Sequence, residues 1–319
     1  MRALYDEDVF KQYYQTNYDF NTTSLDEDEI DEIKSLVKEK RVNYALAPIA
    51  EKIFSFIVEQ NSNINFELVK LDTTNVDGML YIPESGNEKA YIILNGNKPL
   101  VNQIFAAAHE YYHYIKDYES IKEKPYICCL SSLLNINEKK ASRFAAELLL
   151  PDEALRTEIK LFKKKFNCSE KKKMKFEEYA FISIMLTIKY QLPLKAVIYR
   201  LYEENLIDNI NKFVADYDVI KKVLMQVEIL KDQVDYLYGT GNNSLEENST
   251  LYQQIEVAYN NGLASRTEIL DDAEKLNLNS QVIETFFDVI DDEDDDEDDD
   301  EILRISKEMW GGEWFVYTS

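Results

Sequence analysis

The stretch AAAHEYYHYI, residues 106–115, decides how this chain is read. It contains His109 and His113, the only 2 histidines among 319 residues, and Glu110 follows the first of them. On a helix, residues i and i+4 lie one turn apart on one face. Two imidazoles so placed reach one cation, and zinc accepts their nitrogens at about 2.0–2.1 Å. The residue after the first histidine points to the flank. A carboxylate there takes a proton from metal-bound water without being a ligand, which is the logic of H-E-x-x-H. A pattern this short also arises by coincidence. With two histidines, a spacing of four occurs by chance roughly once in 150, and a following glutamate in about one in ten of those. Phe105, Ala108, Tyr112 and Ile115 predict an apolar seam that docks the helix and leaves both histidines along its border.

A catalytic zinc takes three protein ligands and keeps one open position. No third histidine exists, so the remaining ligand is a carboxylate or, with less support, Cys128 or Cys129. The segment EKKASRFAAELLLP offers Glu138 and Glu147. Apolar residues at 141, 144, 145 and 148 define the buried side of its helix, and Glu138 lies on that side, one turn before Ala141. Glu147 is nine residues further, about 900° of rotation, and so points about half a turn away. Ala141 and Ala145 are small and allow a close approach to a partner helix. Geometry therefore selects Glu138 as the third ligand.

Around this pair of helices the periodicity changes. DEDEIDEIKSLVKEK has helical spacing at Ile30, Ile33 and Val37, and YALAPIAEKIFSFIVEQ (44–60) predicts an amphipathic helix restarted or kinked at Pro48. INFELVKL (64–71), GMLYI (78–82) and KAYIIL (89–94) are short, β-branched or aromatic, and bounded by turn residues, so they predict a small sheet. A helix is expected from about Leu100 to Asp117. Another starts with Asn137 as N-cap and stops at Pro151. Further helical patterns run through 152–207, 213–237 and 250–287. The expected organisation is a polar, helical segment at 1–43, a catalytic domain at 44–212, a helical region at 213–287 and an acidic tail with an aromatic end at 288–319.

Composition narrows the class. Net charge is −24, and the run from Asp291 to Glu301 supplies 11 of those charges. Such a field disfavours direct binding to a nucleic-acid backbone. Three cysteines, two of them adjacent, do not suggest a disulfide framework. MRALYDEDVFKQYY has no apolar core of a signal peptide, and no run of 18 apolar residues suggests a membrane span. The expectation is a soluble protein of the cytoplasm, without membrane contact.

AYIILNGNKPLVNQIFAAAHEYYHYI followed by EKKASRFAAELLLP resembles the ImmA/IrrE family of metallo-endopeptidases. That family typically shows a strand ending in I-L-N, then F-x-x-A-H-E-x-x-H, then E-x-x-A-N-x-F-A-A-E-L-L-M-P. The later ISIMLTIKYQLPLKAVIYRLYEENLI resembles its closing helix pair, with Arg200-Leu201 at the usual Arg-Leu, so the likeness covers about residues 44–210. The resemblance implies an α+β, helix-rich zincin-like core of the gluzincin kind, with a small sheet and helical C-terminal additions. It also implies His109, His113 and Glu138 as Zn2+ ligands and Glu110 as catalytic base. The implied partner is a protein substrate, a helix-turn-helix repressor of a mobile element or stress response. Two positions depart from the pattern. Tyr112 stands where the family has Gly or Ser, and a tyrosine there needs a pocket. Ser142 stands where the family has Asn or Asp, and a serine supports a ligand more weakly from behind.

An extended substrate is expected to add a strand to the sheet, with KAYIIL as the edge it meets. A donor for the oxyanion has to come from Tyr81, Tyr118, Tyr126, Tyr199 or Arg200, since no histidine remains. The acidic run reads as a solvated spacer or as a lure for a basic partner. Trp310 and Trp314 flank Gly311-Gly312 in an aromatic end suited to docking. A rival function is an interaction protein that keeps the fold and metal for structure and binds a regulator through its acidic tail and aromatic end.

Overall fold

The computed structural model describes residues 25–70, 76–83, 89–123, 136–166, 174–208, 210–239, 258–259, 262 and 264–275. The acidic run, the tryptophan end, Cys128, Cys129 and Tyr126 lie outside them. Two compact units divide the chain, one from residues 1–98 and 102–149, the other from 99–101 and 150–319. The architecture is α+β, many helices with one three-stranded sheet.

The first unit opens with α1 (Glu27–Lys40), started by a capping box between Asp26 and Glu29. Ile33 and Val37 are its buried face, packed against α5 (Ile136–Leu149). The expected helix from residue 44 is shorter than the sequence suggests: after a 3-10 turn at Ala50–Lys52, α2 spans only Ile53–Gln60. Pro48 has no amide hydrogen and drives Ala47 out of helical geometry. Arg41 replaces the missing ladder. Its guanidinium donates to the carbonyls of Ala45, Ala47 and Leu148, and Ala45 adopts a left-handed φ of 44°.

β1 (Ile64–Val69), β2 (Gly78–Tyr81) and β3 (Ala90–Asn95) follow. Their order is β1-β3-β2, with β1 parallel and β2 antiparallel to β3. KAYIIL is therefore the central strand, not an edge. Its two ladders consume the backbone groups that an incoming peptide would need, so a strand can be added only along β1 or β2. Ile64, Phe66, Leu80, Ala90, Ile92 and Leu94 line the buried face of the sheet.

α3 (Leu100–Lys116) carries the histidines, and α4 (Tyr118–Glu123) follows it directly. The buried spine of α3 is Ile104, Ala107, Ala108 and Tyr111, all fully buried. The predicted seam of Phe105, Ala108, Tyr112 and Ile115 is thus displaced by one residue, since Phe105 and Ile115 remain partly exposed. A 3.6-residue period lets two neighbouring stripes fit an alanine-rich stretch, and only packing against the sheet and α5 selects between them. In α5, Ala141, Phe144, Ala145 and Leu148 are buried as the sequence predicts.

The second unit contains α6 (Asp152–Lys165), α7 (Phe176–Tyr190), α8 (Leu194–Glu203), α9 (Ile210–Ala215), α10 (Tyr217–Gln226), α11 (Lys231–Tyr238) and α12 (Arg266–Lys275). Among the described residues no single helix is long and apolar enough to cross a membrane. Arg200 is buried at the heart of this unit. It donates to the Leu150 carbonyl and pairs with Glu203 and Glu204.

Candidate metal centre

All the groups singled out around the H-E-x-x-H helix sit in the first unit. His109 Nε2 lies 3.3 Å from His113 Nε2 and 3.1 Å from Glu138 Oε2. His113 Nε2 lies 3.5 Å from Glu138 Oε1. One ligand atom from each of the three residues falls within 4.8 Å of the others, so the group could hold a metal ion. The spacing can be tested against known chemistry. Zinc bonds of about 2.0–2.1 Å in a tetrahedron separate neighbouring donors by about 3.3–3.4 Å. The separation of the two imidazole nitrogens matches that value, each imidazole lies 3.1–3.5 Å from one of the two Glu138 oxygens, and two imidazoles with one carboxylate suit zinc or a similar divalent metal. The residues fit the ion.

The electrostatics of the metal-free group are those of a tight ion cluster. Burial opposes charge on His113, but its hydrogen bonds to Asp117 and Glu138 outweigh it and lift the ring to about 10. Burial likewise opposes charge on Glu138, yet the two histidines outweigh it and hold the carboxyl down at about 2. Glu110 is different. It is buried, and desolvation pushes its carboxyl above the usual range against the pull of both histidines.

Local packing explains where Glu110 points. A Cβ added at Gly78 would meet Leu94 Cδ2 at 3.0 Å and Ala106 Cβ at 3.2 Å, so β2 passes very close to α3. One helical turn beyond Ala106 is Glu110, and two residues beyond Gly78 is Leu80. The Glu110 carboxylate accepts a hydrogen bond from the Leu80 backbone.

Ser142 Oγ lies 3.3 Å from His109 Nδ1, on the side of the ring away from Glu138. Glu147 stays outside the cluster, buried against Arg143 at 3.0 Å. The H-E-x-x-H pattern does not include Asp117, whose Oδ2 lies 2.7 Å from His113 Nδ1. Its position four residues after His113, the same spacing that joins the histidines, was the available signal. Asn137 was expected to cap α5, but it lies inside the first turn and donates instead to Asp117 Oδ1 at 3.1 Å. Tyr112 has the pocket it needs: its ring is buried 5.4 Å from that of Phe144 and 6.1 Å from that of His113. Among the oxyanion candidates, Tyr81 packs beside Tyr91 on the exposed side of the sheet, Tyr118 against Tyr114, and Arg200 is engaged with Leu150 and two glutamates.

A small sheet flanking an H-E-x-x-H helix, with a glutamate from the next long helix at the same point, defines a zincin-like metallopeptidase fold. Residues 59–202 match the family of peptidases described as the IrrE N-terminal-like domain. This match supports membership of the ImmA/IrrE family over those residues. No curated protein matches the chain.

Proposed function

We propose that this chain is a zinc-dependent endopeptidase that cuts one specific protein, a helix-turn-helix repressor of a mobile element or stress response. The observation that carries this reading is the meeting of His109, His113 and Glu138 within 4.8 Å beside the buried carboxylate of Glu110. His109, His113 and Glu138 would hold the metal, and Ser142 would steady His109 from behind. Zinc at such a site supplies Lewis acidity towards water and towards a carbonyl oxygen. Glu110 removes a proton from the attacking water and returns it to the departing amine nitrogen. Burial raises its pKa, and β2 passes beside it at Leu80. The substrate lies extended along the outer edge of β2, which passes Glu110 and replaces KAYIIL as the strand to be augmented. The catalytic domain is assigned to residues 44–212.

The test is co-expression with a repressor encoded beside the gene, comparing the natural chain with Glu110→Gln. The expected result is cleavage by the natural chain and its loss, by about 100- to 10,000-fold, in a variant that still binds zinc. Identical effects of both chains on the partner would favour the interaction-protein reading instead. Absence of zinc from the purified protein would remove both.

A further inference from the structure

Asp117 sits just beyond the C-terminal end of α3, where a negative side chain opposes the helix dipole. It is equally the residue before α4, where a negative charge suits the dipole, so the helix ends alone do not decide its role. Both of its carboxylate oxygens are engaged: Oδ2 with His113 Nδ1 at 2.7 Å, and Oδ1 with the Asn137 amide at 3.1 Å. Its backbone is fixed as well, the N–H donating to the His113 carbonyl at 2.8 Å and the carbonyl accepting from Ile121 at 3.0 Å. An ionised carboxylate can only accept, so His113 Nδ1 carries the hydrogen and Nε2 is the nitrogen turned to the cluster. Asn137 immediately precedes Glu138 in α5. One aspartate thus ties the end of the histidine helix to the start of the glutamate helix, directly beneath the cluster. His109 is backed more weakly, by a neutral hydroxyl at 3.3 Å. Bonds to a charged acceptor are shorter and about twice as strong.

We propose that Asp117 is the principal positioning residue of this centre, fixing the tautomer and tilt of His113 and, through Asn137, the point at which Glu138 meets the two imidazoles. This rests on the His109–His113–Glu138 ligand reading above. The full-length protein, stripped of metal, is titrated with zinc against a chromophoric chelator, and in parallel loaded with cobalt(II) for its visible d–d spectrum. Asp117→Ala is expected to weaken zinc binding by about 10- to 100-fold and to alter the cobalt bands at full occupancy. Asp117→Asn, isosteric and still able to accept from Nδ1–H, is expected to lose less and to keep the fold, so it decides the matter if the alanine variant does not fold. Asn137→Ala is expected to produce a smaller loss of the same kind. Zinc affinities of the Asp117 variants within about twofold of the natural chain, well short of the usual loss for such partners, with superimposable cobalt spectra, would overturn the proposal. Failure of the natural chain itself to bind zinc would instead remove the ligand reading on which it stands.

Discussion

Tyr112 shows how one residue can depart from a family pattern without emptying the site. Its ring fills space beside Phe144 that a glycine would leave open. Tyr112→Gly is expected to create a cavity and to cost about 3–5 kcal/mol, as aromatic deletions in cores do, plus about 1 kcal/mol for a helical glycine. Urea unfolding measures the loss. A second residue-scale expectation concerns pH in the metal-free protein. His113 has a folded pKa of about 10, above its ordinary value of 6.5. Its contribution to stability is therefore complete below pH 6.5 and is lost as pH rises towards 10. Glu138 has the opposite sign, with a folded pKa of about 2 below its ordinary 4.5. Its contribution is complete above pH 4.5 and is lost as pH falls towards 2. The thermal midpoint of the natural chain relative to His113→Ala, measured in chelator, should peak between these limits, from pH 4.5 to 6.5. Zinc must displace the His113 proton, so the stability gained from zinc should grow with pH instead.

At the scale of elements, the decisive contact is β2 against α3. A Cβ at Gly78 would sit 3.0 Å from Leu94 Cδ2 and 3.2 Å from Ala106 Cβ, so a side chain there makes strand or neighbours give way, and this closeness brings β2 beside Glu110. Gly78→Val must push the strand away from the helix. Peptidase activity should fall by at least about tenfold, because misplacement of about an ångström at a reacting group is costly, while zinc content is retained. Wild-type activity in a folded Gly78→Val protein would contradict this role. Helix α1 offers a contrast between packing and charge. Ile33 is buried against α5, so Ile33→Ala should cost about 2–5 kcal/mol. Glu29 pairs with Lys140 at 2.9 Å on the surface. Replacing Lys140, which leaves the capping box of α1 intact, should move the thermal midpoint far less, and high salt should erase the difference.

At the scale of the whole molecule, charge is unevenly distributed. Deleting residues 291–301 removes 11 negative charges and leaves a net charge of −13. If the run is a lure for a basic partner, the deletion should weaken capture of that partner at low salt and have little effect at high salt. Equal binding at every salt concentration would leave the run as a spacer. Zinc affinity should be the same with and without it.

Helical periodicity alone was enough to name the three side chains that meet as a possible metal-holding group. Two histidines one turn apart, the glutamate after the first, and the choice of Glu138 over Glu147 follow from helical periodicity, because every residue concerned lies within one of two continuous helices. Three strands and the helices around them were legible for the same local reason. What required tertiary structure was non-local. Strand order is set by which strands pair, and no property internal to KAYIIL marks it as central. The one-residue shift of the buried stripe on α3 depends on the surfaces packed against it. A break at Pro48 was legible, but the carbonyls it leaves open are met by Arg41, which reaches Ala45, Ala47 and Leu148 only in the folded chain. Asp117 and Asn137 are 20 residues apart, and only the folded chain brings them together behind His113 and beside Glu138.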